Sequence, residues 1–455
     1  MMFETTNPAT GDRIATYDSH DDTAVEAALT DVDETFDTWQ TRSIESRQEL
    51  AASLAETLRD NVDEYAQTMT REMGKPISQG IGEVEKCAWV CEYYAERAAA
   101  HLQDERIGTE PGAETYVAYE PLGTVLAVMP WNFPFWQVFR FAVPALTAGN
   151  TVLLKHSPTT FGCAEAIVSA FREAGYPEGA IRSLRIEAER VEGVIDDDRV
   201  QAVTLTGSTR AGRAVAEAAG RNIKPTVLEL GGSDPYIVLD DADLDDAIET
   251  AVTARTQNSG QSCIAAKRLF VHTAVYDEFV DRFVDRMAAL TVGDPTDPET
   301  DVGPQARADL LETLHEQVTA SVDAGSTVQC GGEPIDRAGN FYPPTVLTDV
   351  PADCPARAQE LFGPVATVVE VDDETEAVAL ANDTPYGLSA SVWTTDRERG
   401  RHVAEEIDAG AAFVNKMSTS DPRLPFGGIK ESGYGAELSK HGIREFTNAK
   451  TYWIQ

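Results

Sequence analysis

Ala202-Val203-Thr204-Leu205-Thr206-Gly207-Ser208-Thr209-Arg210-Ala211-Gly212 is the stretch that decides the fold. A short apolar run meets a Thr-Gly-Ser turn, and an alanine-rich amphipathic run continues to residue 219. An apolar run of this length bounded by glycine reads as a buried strand, and Ser208 stands where a helix N-cap belongs. Strand, glycine turn and helix make the repeating unit of a doubly wound parallel sheet. Gly207 and Gly212 permit close approach of backbone, and the helix N-terminus offers N–H groups to a phosphate. Taken alone the pattern is weak, because neither GxGxxG nor a Walker loop accompanies it.

The same alternation extends in both directions. Residues 151–154 lead into a helix near 164–174, and strands at 226–230 and 236–239 lead into a helix at 244–256. A second α/β stretch runs from about 268 to 394, with a long helix at 306–324 and strands at 366–371 and 389–393. Two α/β lobes are therefore expected. Residues 24–100 are rich in helical periodicity and break at Gly74-Lys75-Pro76. Residues 121–139 carry no formal charge, but Pro130, Asn132, Pro134 and Gln137 interrupt them and Arg140 follows. A buried strand at 124–129 entering a proline-rich loop fits better than a membrane span. The apolar tail at 446–454 reads as a strand in need of a partner sheet.

Composition narrows the function. There are 37 Lys+Arg against 76 Asp+Glu, a formal net charge of −39. Such a chain is poorly suited to nucleic-acid phosphates or anionic membranes. Lysine is scarce at nine residues, and acidic runs such as Asp196-Asp197-Asp198 and Asp240-Asp241-Ala242-Asp243 are spread along the chain. That pattern points to the cytoplasm of a salt-accumulating organism, such as a halophilic archaeon. Residues 1–18 lack the basic and apolar regions of a secretory signal. Six cysteines are too few for a disulfide framework, and the seven histidines form no metal-binding spacing, so no metal is expected. Cys87 and Cys91, four apart on a helix, read as core residues.

Two residues stand out chemically. Cys263 ends the polar run Asn258-Ser259-Gly260-Gln261-Ser262, an unusual setting for a structural cysteine. Glu229 is a lone carboxylate in the apolar strand Leu228-Glu229-Leu230-Gly231-Gly232, where burial would raise its pKa toward that of a general base.

With Asn7-Pro8-Ala9-Thr10-Gly11, Pro130-Trp131-Asn132-Phe133-Pro134, Glu360-Leu361-Phe362-Gly363-Pro364 and Pro425-Phe426-Gly427-Gly428-Ile429-Lys430 in order along the chain, the sequence resembles the NAD(P)-dependent aldehyde dehydrogenase superfamily over essentially its whole length. The resemblance implies a cofactor-binding domain (1–102 and 122–230), a catalytic domain (231–428) and an oligomerisation arm (103–121 and 440–455). It implies Cys263 as nucleophile, Glu229 as hydrolytic base, Asn132 as oxyanion donor and Glu437 as a supporting carboxylate. The lysine often found nine residues after the asparagine is Phe141 here, which leaves that part of the proton relay open. NAD or NADP would be held by Trp131, Lys155, Ser157, Thr206, Gly207, Ser208, Gly212, Glu360 and Phe362. Where NAD-preferring relatives carry a glutamate three residues after the lysine, this chain has Pro158, so NADP should be accepted. A homodimer or homotetramer is implied, with the arm hairpin near 103–120 pairing with the C-terminal strand of another subunit's domain.

Leu153-Leu154-Lys155-His156-Ser157-Pro158 and Cys263-Ile264-Ala265-Ala266-Lys267-Arg268 resemble the succinate-semialdehyde dehydrogenase branch. There Arg140 matches an arginine for the substrate's distal carboxylate, and Arg423 is a candidate for a second arginine whose usual place holds Gln257. Alternatives are another small aliphatic or hydroxy-aldehyde as substrate, or a non-catalytic structural member of the fold. Intact Cys263, Glu229 and Asn132 speak against the last, and Glu229 also speaks against a CoA-acylating enzyme.

Overall fold

The computed structural model describes residues 2–455. Its first sheet has six strands, in the spatial order Gly433–Tyr434, Thr226–Glu229, Val200–Thr206, Thr124–Met129, Thr151–His156 and Ile181–Ser183. All pairings are parallel except that of Gly433–Tyr434. The chain winds outward from Thr124–Met129 in one direction, then returns to that strand's other side at Val200–Thr206. Where winding reverses, the loops leaving the C-terminal strand ends splay apart and open a crevice. Here those loops are Pro130–Asn132 and Gly207–Ser208. The helices Asp22–Trp39, Ile44–Asp60, Val62–Met73 and Ile77–His101 lead up to this sheet. The break between the last two is made by Gly74, which ends its helix at φ 79°, followed by Pro76, which cannot continue one.

The second sheet has seven strands, ordered Thr327–Cys330, Thr345–Thr348, Val365–Val371, Ala266–His272, Asp234–Val238, Ser389–Trp393 and Ala411–Val414. It is parallel except for its first pair. Its central strands are almost wholly buried, as a sheet covered on both faces requires.

The arm departs from expectation. Glu105–Arg106 and Glu114–Pro121 form the hairpin, and Thr447–Ile454 pairs antiparallel with Glu114–Pro121 of the same chain, from Thr447 opposite Pro121 to Ile454 opposite Glu114. The tail finds its partner at home, because Phe446 is anchored beside that strand: its carbonyl accepts from Asn150 Nδ2 (3.0 Å) and from Leu122 N (3.4 Å). Among the described residues no helix is long and apolar enough to cross a membrane.

Candidate active site

After the helix Leu244–Thr256 the chain turns through Asn258 (φ 56°), Ser259 (φ 55°) and Gly260 (φ 73°), three left-handed residues in a row. Asparagine and serine there are strained unless their surroundings fix them, and the surroundings do. Ser259 Oγ accepts from Gly303 N at 2.9 Å and its carbonyl accepts from Gln305. Asn258 Nδ2 donates to the carbonyls of Asn132 (2.7 Å) and Gln261 (3.0 Å). A side chain at Gly260 would lie 2.3 Å from the Gly363 backbone. The buried Arg255 guanidinium donates to the carbonyls of Gly260, Leu361 and Gly363. Lys267 donates to Ser262 O (2.8 Å) and Cys263 O (2.7 Å) and pairs with Glu360 at 3.3 Å. The loop carrying Cys263 is therefore clamped to the loop carrying Glu360 and Phe362.

Cys263 lies between two cavities, and only it and Gln137 line both. The smaller, about 220 Å³, is the crevice at the winding reversal, lined by Trp131, Asn132, Thr206, Gly207, Ser208, Gly231, Glu360 and Phe362. The larger, about 400 Å³, is walled by Phe133, Trp136, Ile264, Met417 and Phe426 and carries Lys86, Arg140 and Lys416. Its one acidic side chain, Glu83, is already engaged: Oε1 accepts from Phe135 N and Trp136 N at 2.9 Å each, and the other oxygen pairs with the buried Lys75. In a chain of net charge −39, this cavity has an excess of cations.

Burial pushes the Cys263 thiol up to about 12, against the pull of Arg140 and Lys267. A thiol held this high rests protonated, so a nucleophilic role for Cys263 would require the loss of that proton. Asn132 Nδ2 donates to Gln261 O at 3.1 Å, which engages one of its two N–H groups. Glu229 lines neither cavity. It is buried behind them, and Arg140 Nη2 lies 4.0 Å from its Oε2. The other side of the Arg140 guanidinium pairs with Glu437, brought near by the pairing of Gly433 with Glu229. Burial raises both carboxyls above their ordinary range; Arg140 opposes this for both, and Glu437 reinforces it for Glu229. Phe141, where the resemblance leaves the relay open, packs edge-on against Phe446 at 5.4 Å.

Arg140 is thus less free than the sequence suggests. Besides the two carboxylates it donates to Thr206 Oγ1 at 3.2 Å and lies over the Phe426 ring at 4.8 Å. Arg423 is not in the larger cavity at all. It lies exposed, clipped to Asp421 two residues earlier and 5.5 Å from the Trp89 ring, because the short Asp-Pro-Arg spacing closes a local ion pair. Gly212 also lies outside the crevice: a side chain there would strike Leu230 at 2.6 Å, so this glycine seats the helix on the sheet. Lys155 and Ser157 stand at the end of the strand beside Thr124–Met129, and Ser157 caps the following turn through Thr159 N. Sequence reasoning missed Lys86, Arg255, Asn258 and Lys267. The one signal available for the last two was their nearness to Cys263.

The crevice suits a dinucleotide. Gly207 leaves open space beside its backbone, with Leu205 no nearer than 3.6 Å, and Ser208, which lines the crevice, caps the helix Thr209–Arg221, an N-terminus of the kind that offers N–H groups to a phosphate. Residues 1–452 match the aldehyde dehydrogenase family. The chain belongs to that family. It is 52% identical over 454 residues to a probable succinate-semialdehyde dehydrogenase [NADP(+)] of Synechocystis sp., with 100% of both chains covered. It is 49% identical over 456 residues to succinate-semialdehyde dehydrogenase [NADP(+)] 1 of Mycobacterium tuberculosis, again with 100% of each covered. Among solved structures, succinic semialdehyde dehydrogenase from Streptococcus pyogenes in complex with NADP+ superposes with a TM-score of 0.97 at 38% identity, covering 99% of each chain. An NAD-dependent aldehyde dehydrogenase from Sinorhizobium meliloti gives 0.97 at 34%, covering 100% of this chain and 91% of that one. Family members are NAD(P)-dependent oxidoreductases acting on aldehydes, and this chain shares their α/β fold.

Proposed function

We propose that this aldehyde dehydrogenase oxidises succinate semialdehyde to succinate, with NADP+ accepted as oxidant. The observation that carries the substrate is the cation excess of the larger cavity: Lys86, Arg140 and Lys416 against the single, already paired Glu83. A four-carbon aldehyde with a distal carboxylate puts its anion among these groups while its carbonyl reaches Cys263. An uncharged aldehyde leaves buried cations unanswered. The relatives named above as succinate-semialdehyde dehydrogenases support the same reading.

The chemistry follows from the residues. Cys263 Sγ bonds to the carbonyl carbon as its proton passes to water in the larger cavity and the carbonyl π pair moves onto oxygen, giving a thiohemiacetal anion. The developing oxyanion is met by the second Asn132 N–H and the Cys263 backbone N–H. The nicotinamide dinucleotide, when bound in the crevice against Trp131, Ser208, Glu360 and Phe362, supplies the hydride acceptor. Collapse to the thioester leaves a carbonyl that water must attack, and Glu229 takes the proton of that water after swinging forward from Arg140. Glu437 and Arg140 hold the charge balance behind it. At the end of the adjacent strand, Lys155 and Ser157 would meet the adenosine ribose, and Pro158 puts no carboxylate at its position to repel a 2′-phosphate.

The arm supports an oligomer, a homodimer or homotetramer: Ile107, Trp453 and Ile454 are exposed on it, and Ala411–Val414 leaves a sheet edge open. Reduced-cofactor formation at 340 nm across an aldehyde panel tests the substrate. Succinate semialdehyde should exceed butanal in kcat/KM by about ten- to a hundredfold, the worth of a charge-assisted contact. Equal values would sink the assignment.

A further inference from the structure

On the helix Ile77–His101, Gln79, Gly82, Glu83 and Lys86 fall on one face and border the larger cavity. Of the cations there, Arg140 is divided between two buried carboxylates, and Lys416 is exposed. Lys86 differs from both. Its Nζ donates to Ser420 Oγ at 2.8 Å and lies 4.4 Å from the centre of the Trp136 ring, yet among the described residues no carboxylate lies within 4.0 Å of it. Lys75, Lys267, Lys430 and Lys450 have such a partner; Lys416 has none either, but it is exposed, so water rather than a ligand meets its charge. A largely buried ammonium resting on an aromatic face, with one hydroxyl and no counter-ion, is a site built for an anion that arrives with the substrate.

Resting on the substrate reading above, we infer that Lys86, oriented by Ser420 and Trp136, is a specificity-determining residue that binds the distal carboxylate of the aldehyde. Because Arg140 is held by Glu229 and Glu437, Lys86 is the cation whose charge the substrate alone satisfies. Burial, then the neighbouring Arg140, pulls its ammonium down to about 8, with Cys87, Glu83 and Asp421 pulling the other way. These, with Lys416 on the facing segment and Cys263 across the cavity, are the charged and titratable groups around it. Selectivity should therefore depend on pH: the cation is present below about 8 and is lost above it. An uncharged aldehyde does not sense that change.

The test measures kcat/KM for succinate semialdehyde and butanal from pH 6.5 to 9.5 in the full-length enzyme, Lys86→Met and Lys86→Arg. Taking the ratio of the two aldehydes cancels the titration of Cys263, which both share. In the wild type the ratio should fall as pH rises through about 8. Lys86→Met should lower it by about tenfold or more at pH 7, through KM for the semialdehyde rather than kcat. Lys86→Arg should recover most of the ratio and hold it flat across the range, since guanidinium stays charged. A Lys86→Met ratio equal to that of the wild type overturns the role of Lys86 and leaves the substrate reading standing. So does an equal loss on both aldehydes in Lys86→Met that Lys86→Arg fails to restore. A wild-type ratio near one overturns the substrate reading and this inference with it.

Discussion

Three side chains, Glu229, Arg140 and Glu437, make one buried unit with two acids and one permanent cation. On the mechanism proposed above, their balance decides the rate of the second half-reaction. Because burial holds the Glu229 carboxyl above its ordinary range, its basic form gains ground as pH rises, and deacylation should accelerate toward alkaline pH. Glu229→Gln should still form the thioester and stall. Rapid mixing should show a burst of reduced cofactor followed by turnover slower by ~10²–10⁴; wild-type turnover in this variant would remove Glu229 from the role of base. Arg140→Ala leaves two carboxyls buried without their cation, a change of about 3–5 kcal/mol in stability. Activity on butanal and on the semialdehyde should both fall, the semialdehyde further. A variant of full thermal stability that loses only the semialdehyde would mean the ion-pair role has been overstated.

Strands and loops set the next scale. His156 ends the strand Thr151–His156; its Nε2–H donates to Pro134 O at 3.0 Å, so Nδ1 is the nitrogen that accepts from Thr160 Oγ1 at 3.0 Å. It ties that strand to the loop carrying Asn132. Burial lowers its pKa to about 4 from an ordinary 6.5. The unfolded chain binds a proton here below 6.5 and the folded one does not until about 4. Stability is therefore complete above pH 6.5 and declines as pH falls toward 4, by roughly 3 kcal/mol in all. Melting curves of wild type and His156→Gln between pH 7.5 and 4.5 should converge as pH falls; parallel curves would mean the ring does not carry this linkage. The strands themselves were legible in the sequence because buried parallel strands are continuous apolar runs between glycines, as at 202–207. Cys263 and Glu229 were legible because each breaks its local pattern. Lys86 and Arg255 were not, since a charged residue in an amphipathic helix looks solvated until the segment it meets, 415–420 or 360–363, is in place. The tail was legible as a strand, but nothing along the chain says whose sheet it joins.

At the scale of the whole molecule, charge dominates. The formal −39 spreads over a surface whose Arg–carboxylate pairs, such as Arg221 with Glu217 and Arg282 with Glu278, contribute little each. Salt weakens those pairs modestly and relieves far more repulsion. Melting temperature and activity should both rise from low salt to molar KCl, and a flat or falling melting temperature would reject a salt-adapted surface. The excess of cations around the larger cavity is set against this background, so an anionic substrate crossing a repulsive exterior meets attraction at its destination.

The two cavities share no lining but Gln137 and Cys263. This makes the enzyme modular in a sense useful to an engineer. The larger cavity draws Gln79, Gly82, Glu83 and Lys86 from the helix Ile77–His101 and residues 416–420 from the facing segment, beside Phe133, Trp136, Arg140 and Ile264; the crevice draws on loops at 130–132, 206–208 and 360–362. Redesigning Lys86, Met417 or Ser418 for a new aldehyde therefore leaves the grammar of cofactor recognition untouched. A change in what is oxidised can in this way be separated from what accepts the electrons.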